Sequence, residues 1–237
     1  MEHDVMSKQT TGVVDGMLAE NSVAQVADVN IPKKPLYYRF IKRLFDIVFS
    51  ALVIVIGFIP GLILCIFIAI DTKGSPIYSS TRVGHKGPFK FYKFRTMVAD
   101  SDNLEKYLNE DQLKEWHAEH KVENDPRITK LGRFLRATSI DEFAQFLNVF
   151  LGQISIIGPR CITEEELDYL GKDRALYLSV PSGITGAWQI GRRNDATWEN
   201  GNRQAIELDY VRKASLSTDA AIFFGTFGAM FVKRSGL

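Results

Sequence analysis

The feature that most constrains this chain is an uncharged run of about 24 residues, Ile47 to Ile70, with a proline in its middle. At about 1.5 Å rise per residue, a helix of that length reaches roughly 36 Å, enough to cross the hydrocarbon core of a bilayer. Pro60 lacks an N–H and its ring clashes with the preceding turn, so the helix is expected to kink there, and Gly57 and Gly61 add slack. Just upstream, Tyr37, Phe40, Ile41, Leu44 and Phe45 form an apolar stripe, while Arg39, Lys42 and Arg43 form a basic face, the pattern of an interfacial helix. Basic residues flank the run on both sides: Lys33, Lys34, Arg39, Lys42 and Arg43 precede it, and Lys73, Arg82, Lys86 and Lys90 follow. Positive residues prefer the cytoplasmic side. On physical grounds alone, a hairpin-like re-entrant course and a kinked crossing stand level.

With 29 basic and 28 acidic residues, the chain has no global field that would recruit nucleic acid. Its 237 residues give room for one domain and a tail. The polar, aperiodic segment 1–35 is expected to be a mobile leader, and it contains no signal-peptide apolar core. Cys65 and Cys161 suggest no disulfide framework and fit a reducing cytoplasm. His117 and His120 form an i,i+3 pair on a solvated face, with no zinc-type spacing around them.

The chemistry is expected in Lys130 to Cys161, KLGRFLRATSIDEFAQFLNVFLGQISIIGPRC. Ser139 reads as an N-cap, followed by a short helix whose apolar stripe is Ile140, Phe143, Ala144, Leu147 and Leu151, with Asp141, Gln145 and Asn148 on another face. Ser139 to Glu142 also has the form of a capping box, in which Glu142 merely reaches back to the cap. Spacing favours the cap. Arg133, Arg136 and Arg160 tip the balance, because their guanidinium forks match phosphate oxygens and exceed what a cap needs. A helix N-terminus would keep Asp141 ionised and attract phosphate.

Elsewhere, a turn with Gly74 and Pro76 leads into a strand near Ile77 to Ser79. Phe89 to Thr96 alternates aromatic and basic residues. Either Lys90, Lys93 and Arg95 face a diphosphate or lipid headgroups, or they form a solvated strand face. A charged helix is expected from Asp102 to about Lys121, broken by Asp125-Pro126-Arg127. Gly152 reads as a C-cap and Ile154 to Ile157 as a buried strand, after which Pro159 stiffens the approach to Arg160. Glu164, Glu165 and Glu166 look like solvated first-turn acids. Gly183, Gly186 and Gly191 surround Trp188 in a loop-rich segment that matches no nucleotide fingerprint. Ala220 to Val232 is apolar but too short to span.

Three separated motifs in order, Thr81 to Met97 (TRVGHKGPFKFYKFRTM), Leu131 to Arg160 and Ser182 to Arg192 (SGITGAWQIGR), resemble the bacterial sugar transferases that are monotopic phosphoglycosyl transferases. The resemblance covers roughly Tyr38 to Phe231. It implies transfer of a sugar 1-phosphate from a UDP-sugar to undecaprenyl phosphate, with Asp141 as nucleophile and Glu142 as ligand of Mg2+. It places Lys93, Arg95, Arg133, Arg136, Gln145, Arg160 and Arg192 in the substrate- and phosphate-binding set. It also favours the re-entrant helix, with Pro60 as its membrane break. The implied architecture is an α/β (α+β) catalytic module over 72–237, behind a re-entrant membrane helix over 36–71 with interfacial amphipathic helices. That module would rest on the cytoplasmic face of a bacterial inner membrane, against membrane lipid, as a monomer or a homodimer. Asn194-Asp195 and the helix before the dyad look most like galactose or glucose 1-phosphate transferases of exopolysaccharide and O-antigen pathways. The chain departs from the family pattern at Ile59 (usually Ser), Ala144 and Cys161 (usually Pro) and Ala214 (usually Trp). A conventional glycosyltransferase releasing UDP and a non-catalytic membrane scaffold are the alternatives.

Overall fold

The computed structural model describes residues 31, 33–119, 122–191 and 201–232, so the leader expected over 1–35 lies almost wholly outside the described residues. The apolar run is part of one 37-residue helix, α1 (Leu36–Thr72), helical on both sides of Pro60 and closed by Lys73 in the left-handed region. It is long and apolar enough to cross a membrane. Tyr38, Lys42, Asp46 and Ser50 recur every four residues and are buried, as are Ile68 and Thr72 near the other end. Between them Val55, Ile56, Phe58, Ile59, Leu62, Ile66, Phe67 and Ile70 lie about half exposed or more, uncovered by the other described residues. So long an uncovered apolar surface is what a lipid-facing helix requires.

One expectation for this helix is corrected. The basic face read as part of an interfacial helix is largely spent on protein. Lys42 is buried, with Nζ 2.8 Å from Asp219 Oδ2, and Arg43 donates from Nη1 and Nη2 to the carbonyls of Val149 and Phe150, both at 2.7 Å. Arg39 alone of the three stays exposed.

Mixed helix and strand follow. Strands β1 (Ile77–Gly84) and β2 (Gly87–Phe94) form an antiparallel hairpin, in register from Ile77 opposite Phe94 to Gly84 opposite Gly87, with Gly87 at φ 101°. Instead of one helix to Lys121 there are two short ones, α2 (Leu104–Tyr107) and α3 (Glu110–Glu119). The expected break beyond them is a packed element: Asp125 and Arg127 pair at 2.6 Å with both side chains about 3% exposed, and the guanidinium lies over Trp116. Helix α4 (Lys130–Thr138), a 3-10 turn (Ile140–Ala144) and α5 (Gln145–Phe150) carry the acidic pair. Gly152 closes α5 at φ 75°, in line with its reading as a C-cap.

Strand β3 (Ser155–Ile157) pairs parallel with β4 (Gly183–Thr185); between them lie a 3-10 segment (Glu165–Asp173) and α6 (Arg174–Tyr177). Helices α7 (Ala187–Ile190), α8 (Asn202–Lys213) and α9 (Leu216–Val232) complete the described fold. The main core gathers Val149, Ile154, Ile156, Ile162, Leu176 and Val211 around β3, and a smaller one joins Ile68, Phe94 and Leu135 with Phe143 packed against it. Helix α9 is a core helix on one side, with Ile222 buried, and exposes Phe224 and Phe227 on the other.

Candidate active site

The segment ending β2 builds one wall. Thr129 caps α4 by accepting from Gly132 N at 2.9 Å, and its own N–H donates to Thr96 O at 3.1 Å, which draws α4 onto the end of β2. Only glycine allows this approach. A Cβ on Gly132 would fall 2.0 Å from the Thr96 carbonyl oxygen. One turn later Arg136 donates from Nε to Thr96 Oγ1 at 2.9 Å.

Ser139 then adopts the left-handed region (φ 57°) and makes no side-chain cap bond, so the N-cap and capping-box readings are both corrected. The residue closes α4, its N–H donating to Arg136 O, and the chain turns directly into the 3-10 segment. Glu142 does not reach back. Lys93 Nζ stands 3.0 Å from Glu142 Oε1 and 3.5 Å from Asp141 Oδ2, so one ammonium from β2 serves both carboxylates. Asp141, Gln145 and Asn148 are all buried, as their shared face implies, and Asn148 takes the β2 backbone by accepting from Tyr92 N and donating to Lys90 O. Gln145 Nε2 is buried beside them without a hydrogen-bond partner. The apolar stripe points the other way: Ile140, Leu147 and Leu151 are exposed, while Phe143 packs on Phe94.

The electrostatics differ from the expected helix-dipole scheme. Burial pushes the Asp141 carboxyl above the usual carboxylate range, with the Glu142 charge adding to the rise and Lys93 and Arg136 opposing it. A buried carboxyl with a shifted titration and a specific charged partner marks a candidate functional group. Among the described residues no three His, Cys, Asp or Glu side chains converge on a metal position. The dyad still suits Mg2+, which commonly takes one or two protein carboxylates and completes its shell with phosphate oxygens and water. Lys93 Nζ already shows that the space between Asp141 and Glu142 accepts a cation.

Of the other expected residues, the structure gathers some and scatters others. Arg95 donates to Ser75 O at 2.7 Å beneath Tyr78, and Arg133 donates to Ile128 O at 3.0 Å, so each is tied to local backbone away from the dyad carboxylates. Arg160 belongs to a second cluster, in which its guanidinium lies 5.5 Å and that of Arg203 4.5 Å from the centre of the Trp188 ring. Its backbone is clamped: its N–H donates to Glu207 Oε1 at 3.1 Å, and its carbonyl accepts from Tyr177 Oη at 2.6 Å. Glu166, read as a solvated acid, instead pairs with Arg82 at 3.1 Å and accepts from Thr163 N at 2.8 Å. Arg192, with Arg193, Asn194 and Asp195, lies outside the described residues. Cys161, where the family has proline, is buried and its thiol is pushed up to about 12, which keeps it unreactive.

The sequence reading missed Arg203, Glu207 and Tyr177. An Arg and a Glu four apart on a polar helix carry the signature of a solvated pair, so no pattern marked them.

Mixed helix and strand, a helix long and apolar enough to cross a membrane and an acidic pair beside a lysine are the features the chain brings to a comparison with known proteins. The model of the family described as bacterial sugar transferase matches residues 37–233, and the chain belongs to that family. It is 43% identical over 202 residues to a UDP-galactose-lipid carrier transferase of Erwinia amylovora, covering 84% of this chain and 42% of that protein. It is 37% identical to the exopolysaccharide production protein ExoY of Rhizobium meliloti, over 81% of this chain and 86% of that protein. An undecaprenyl-phosphate galactose phosphotransferase of Salmonella typhimurium is 39% identical over 84% of this chain and 42% of its own length. The chain thus spans less than half the length of two of these relatives and most of the third.

Proposed function

We propose that this chain transfers a hexose 1-phosphate, galactose or glucose, from a UDP-sugar to undecaprenyl phosphate at the cytoplasmic face of a bacterial inner membrane, opening a repeat unit of exopolysaccharide or O-antigen. The observation that carries the reading is the buried Asp141 beside Glu142 with Lys93 serving both. The relatives named for UDP-galactose-lipid carrier transfer and undecaprenyl-phosphate galactose phosphotransfer support the substrates. In the first step an Asp141 carboxylate oxygen forms a bond to the sugar-bearing phosphorus while the bond from that phosphorus to the bridging oxygen breaks, and UMP leaves with the electron pair. In the second, a phosphate oxygen of undecaprenyl phosphate attacks the same phosphorus and Asp141 departs as carboxylate, giving ping-pong order. Lys93 neutralises charge on the dyad, and Arg136, whose charge also acts on Asp141, would offset charge on the transferring group. Mg2+ held partly by Glu142 would supply Lewis-acid neutralisation of the diphosphate.

A re-entrant course for α1 is supported by its two ends meeting one module. Near the start, Lys42 donates to Ile157 O at 2.7 Å; at the close, Thr72 O accepts from Ala99 N at 2.9 Å, and Ile68 packs with Phe94 and Leu135. Midway, Gly57 lies so close to Phe143 that a Cβ would fall 2.1 Å from its ring. A module that stays on one side of a bilayer brings both ends of its anchor to that side.

Supplying the purified chain with UDP-galactose or UDP-glucose and undecaprenyl phosphate tests the reaction, with UMP expected in step with lipid-linked product. UDP as the stoichiometric product would establish the conventional glycosyltransferase instead, and no product with any nucleotide sugar would favour the scaffold. Single cysteines before Tyr37 and near the C-terminus should both resist labelling from outside intact cells. A leader cysteine labelled from outside would make α1 a spanning helix.

A further inference from the structure

Strand β3 has three residues and one strand neighbour, yet neither of its edges is left open. Toward β4 the bonds are ordinary ladder bonds: Ser155 N donates to Ser182 O at 2.7 Å and Gly158 N to Thr185 O at 2.9 Å. Toward the other side the partner is the membrane helix. Asp46 Oδ1 accepts from Ile156 N and from Ser155 Oγ, both at 3.0 Å, and Lys42 Nζ donates to Ile157 O at 2.7 Å. Two side chains of α1 therefore take the place of a missing strand, and both are buried. Lys42 is itself fixed by Asp219, which also accepts from Tyr38 Oη at 2.9 Å and Tyr210 Oη at 2.7 Å. The strand so held runs straight into Gly158, Pro159 and Arg160.

The residue between them on the helix serves the other half of the site. Arg43 donates to the carbonyls of Val149 and Phe150, the last turn of α5, and α5 continues without a break from the 3-10 turn that bears Asp141 and Glu142. One turn of α1 thus grips the dyad segment with Arg43 and the Arg160 segment with Lys42 and Asp46.

We infer that residues 42–46 of the membrane helix are a joint that sets the Arg160 segment against the dyad segment, with Lys42, Arg43 and Asp46 as positioning residues of the active site. This rests on reading the dyad and Arg160 as parts of one phosphate-handling site. The bilayer anchor then does more than localise the module, because the geometry of the site is built through it. Separate grips predict separable effects: loss of Asp46 disturbs nucleotide binding through Arg160, and loss of Arg43 disturbs turnover through the dyad.

The test uses the full chain in lipid nanodiscs, with UDP as probe, amide hydrogen exchange as structural readout and the transfer assay for kcat. Asp46→Ala should speed exchange across 155–161 and weaken UDP binding about tenfold, the order expected for one lost charged hydrogen bond. Asp46→Asn, which keeps an acceptor oxygen, should largely restore both. In an Arg160→Ala background, Asp46→Ala should weaken UDP binding no further. Arg43→Met, at a half-exposed position, should lower kcat about tenfold with UDP affinity unchanged; it decides the matter if Asp46→Ala does not fold. Unchanged exchange across 155–161 in Asp46→Ala, full additivity with Arg160→Ala, or normal kcat in Arg43→Met would overturn the inference. Failure of the unmodified chain to transfer phosphosugar would refute the proposed function, while exchange and UDP affinity would still decide the joint.

Discussion

Two sets of carboxylates lie near cations in this molecule, and they are held in different ways. Glu166 and Glu207 have fixed partners: each accepts a backbone N–H, from Thr163 and Arg160, and Glu166 also pairs with Arg82. Among the described residues, Asp141 and Glu142 share Lys93, whose side chain is about 30% exposed, and their carboxylates accept no backbone N–H. A carboxylate fixed by backbone donors is a structural part, because moving it breaks the chain's own hydrogen bonds. One held by an amine on a four-carbon stem can exchange that partner for a substrate phosphate at small cost. The difference separates carboxylates that brace the fold from a dyad that can take up a substrate, as the proposed function requires.

The comparison breaks most sharply at Asp141. Asp141→Asn should lower formation of lipid-linked product by at least about 10³-fold with an unchanged circular dichroism spectrum, because an amide oxygen is a poor nucleophile toward phosphorus. Turnover within tenfold of the parent would end the covalent scheme.

Lys93→Met comes next. It removes the ammonium both carboxylates share and should cost about 100-fold in kcat/KM. Lys93 holds the Asp141 carboxyl down against burial, so its loss raises that group further, and the acid limb of the pH–rate profile should move to higher pH. A profile that keeps its position would show that Asp141 is not the titrating group.

Glu142→Gln should leave nucleotide binding in place while raising the Mg2+ concentration needed for half-maximal rate by roughly tenfold, and the parent should lose activity in chelator and regain it with Mg2+. Full activity in excess chelator would remove the metal from the scheme.

The smallest effect is expected in the structural pair. Burial pushes Glu207 up to about 7 from an ordinary 4.5, so the folded chain keeps a proton that the unfolded chain releases. Its contribution to stability should fall as pH rises from about 4.5 to about 7 and stay flat above. Glu207→Gln keeps an acceptor for the Arg160 N–H and should reduce that slope in Tm, with activity changed by less than about threefold. A steep activity loss would place Glu207 with the reacting pair after all.

Legibility in the sequence followed the range of the interaction involved. Asp141, Gln145 and Asn148 share a face because they sit within two turns of one segment, and that much can be counted along the chain. The cap at Ser139 was misread, since N-cap and left-handed C-cap serines look alike until the preceding helix is known to end there. One motif marks Lys93 and Arg95 alike, yet only Lys93 reaches the dyad, while Arg95 and the equally basic Arg133 are tied to Ser75 and Ile128. Which cation reaches a carboxylate depends on strand register and on the docking of α4 against Thr96, both long-range.

By itself the sequence determined the membrane-length apolar helix, the acidic pair and the family, because uninterrupted hydropathy, adjacent residues and ordered motifs are one-dimensional properties. Only the tertiary structure decided that Lys93 bridges the pair, that Arg160 is clamped by Glu207 and Tyr177, and that the basic turn of the membrane helix grips two segments of the module. Those bonds join residues from 17 to 177 positions apart, and their geometry is set by packing, which no local pattern encodes.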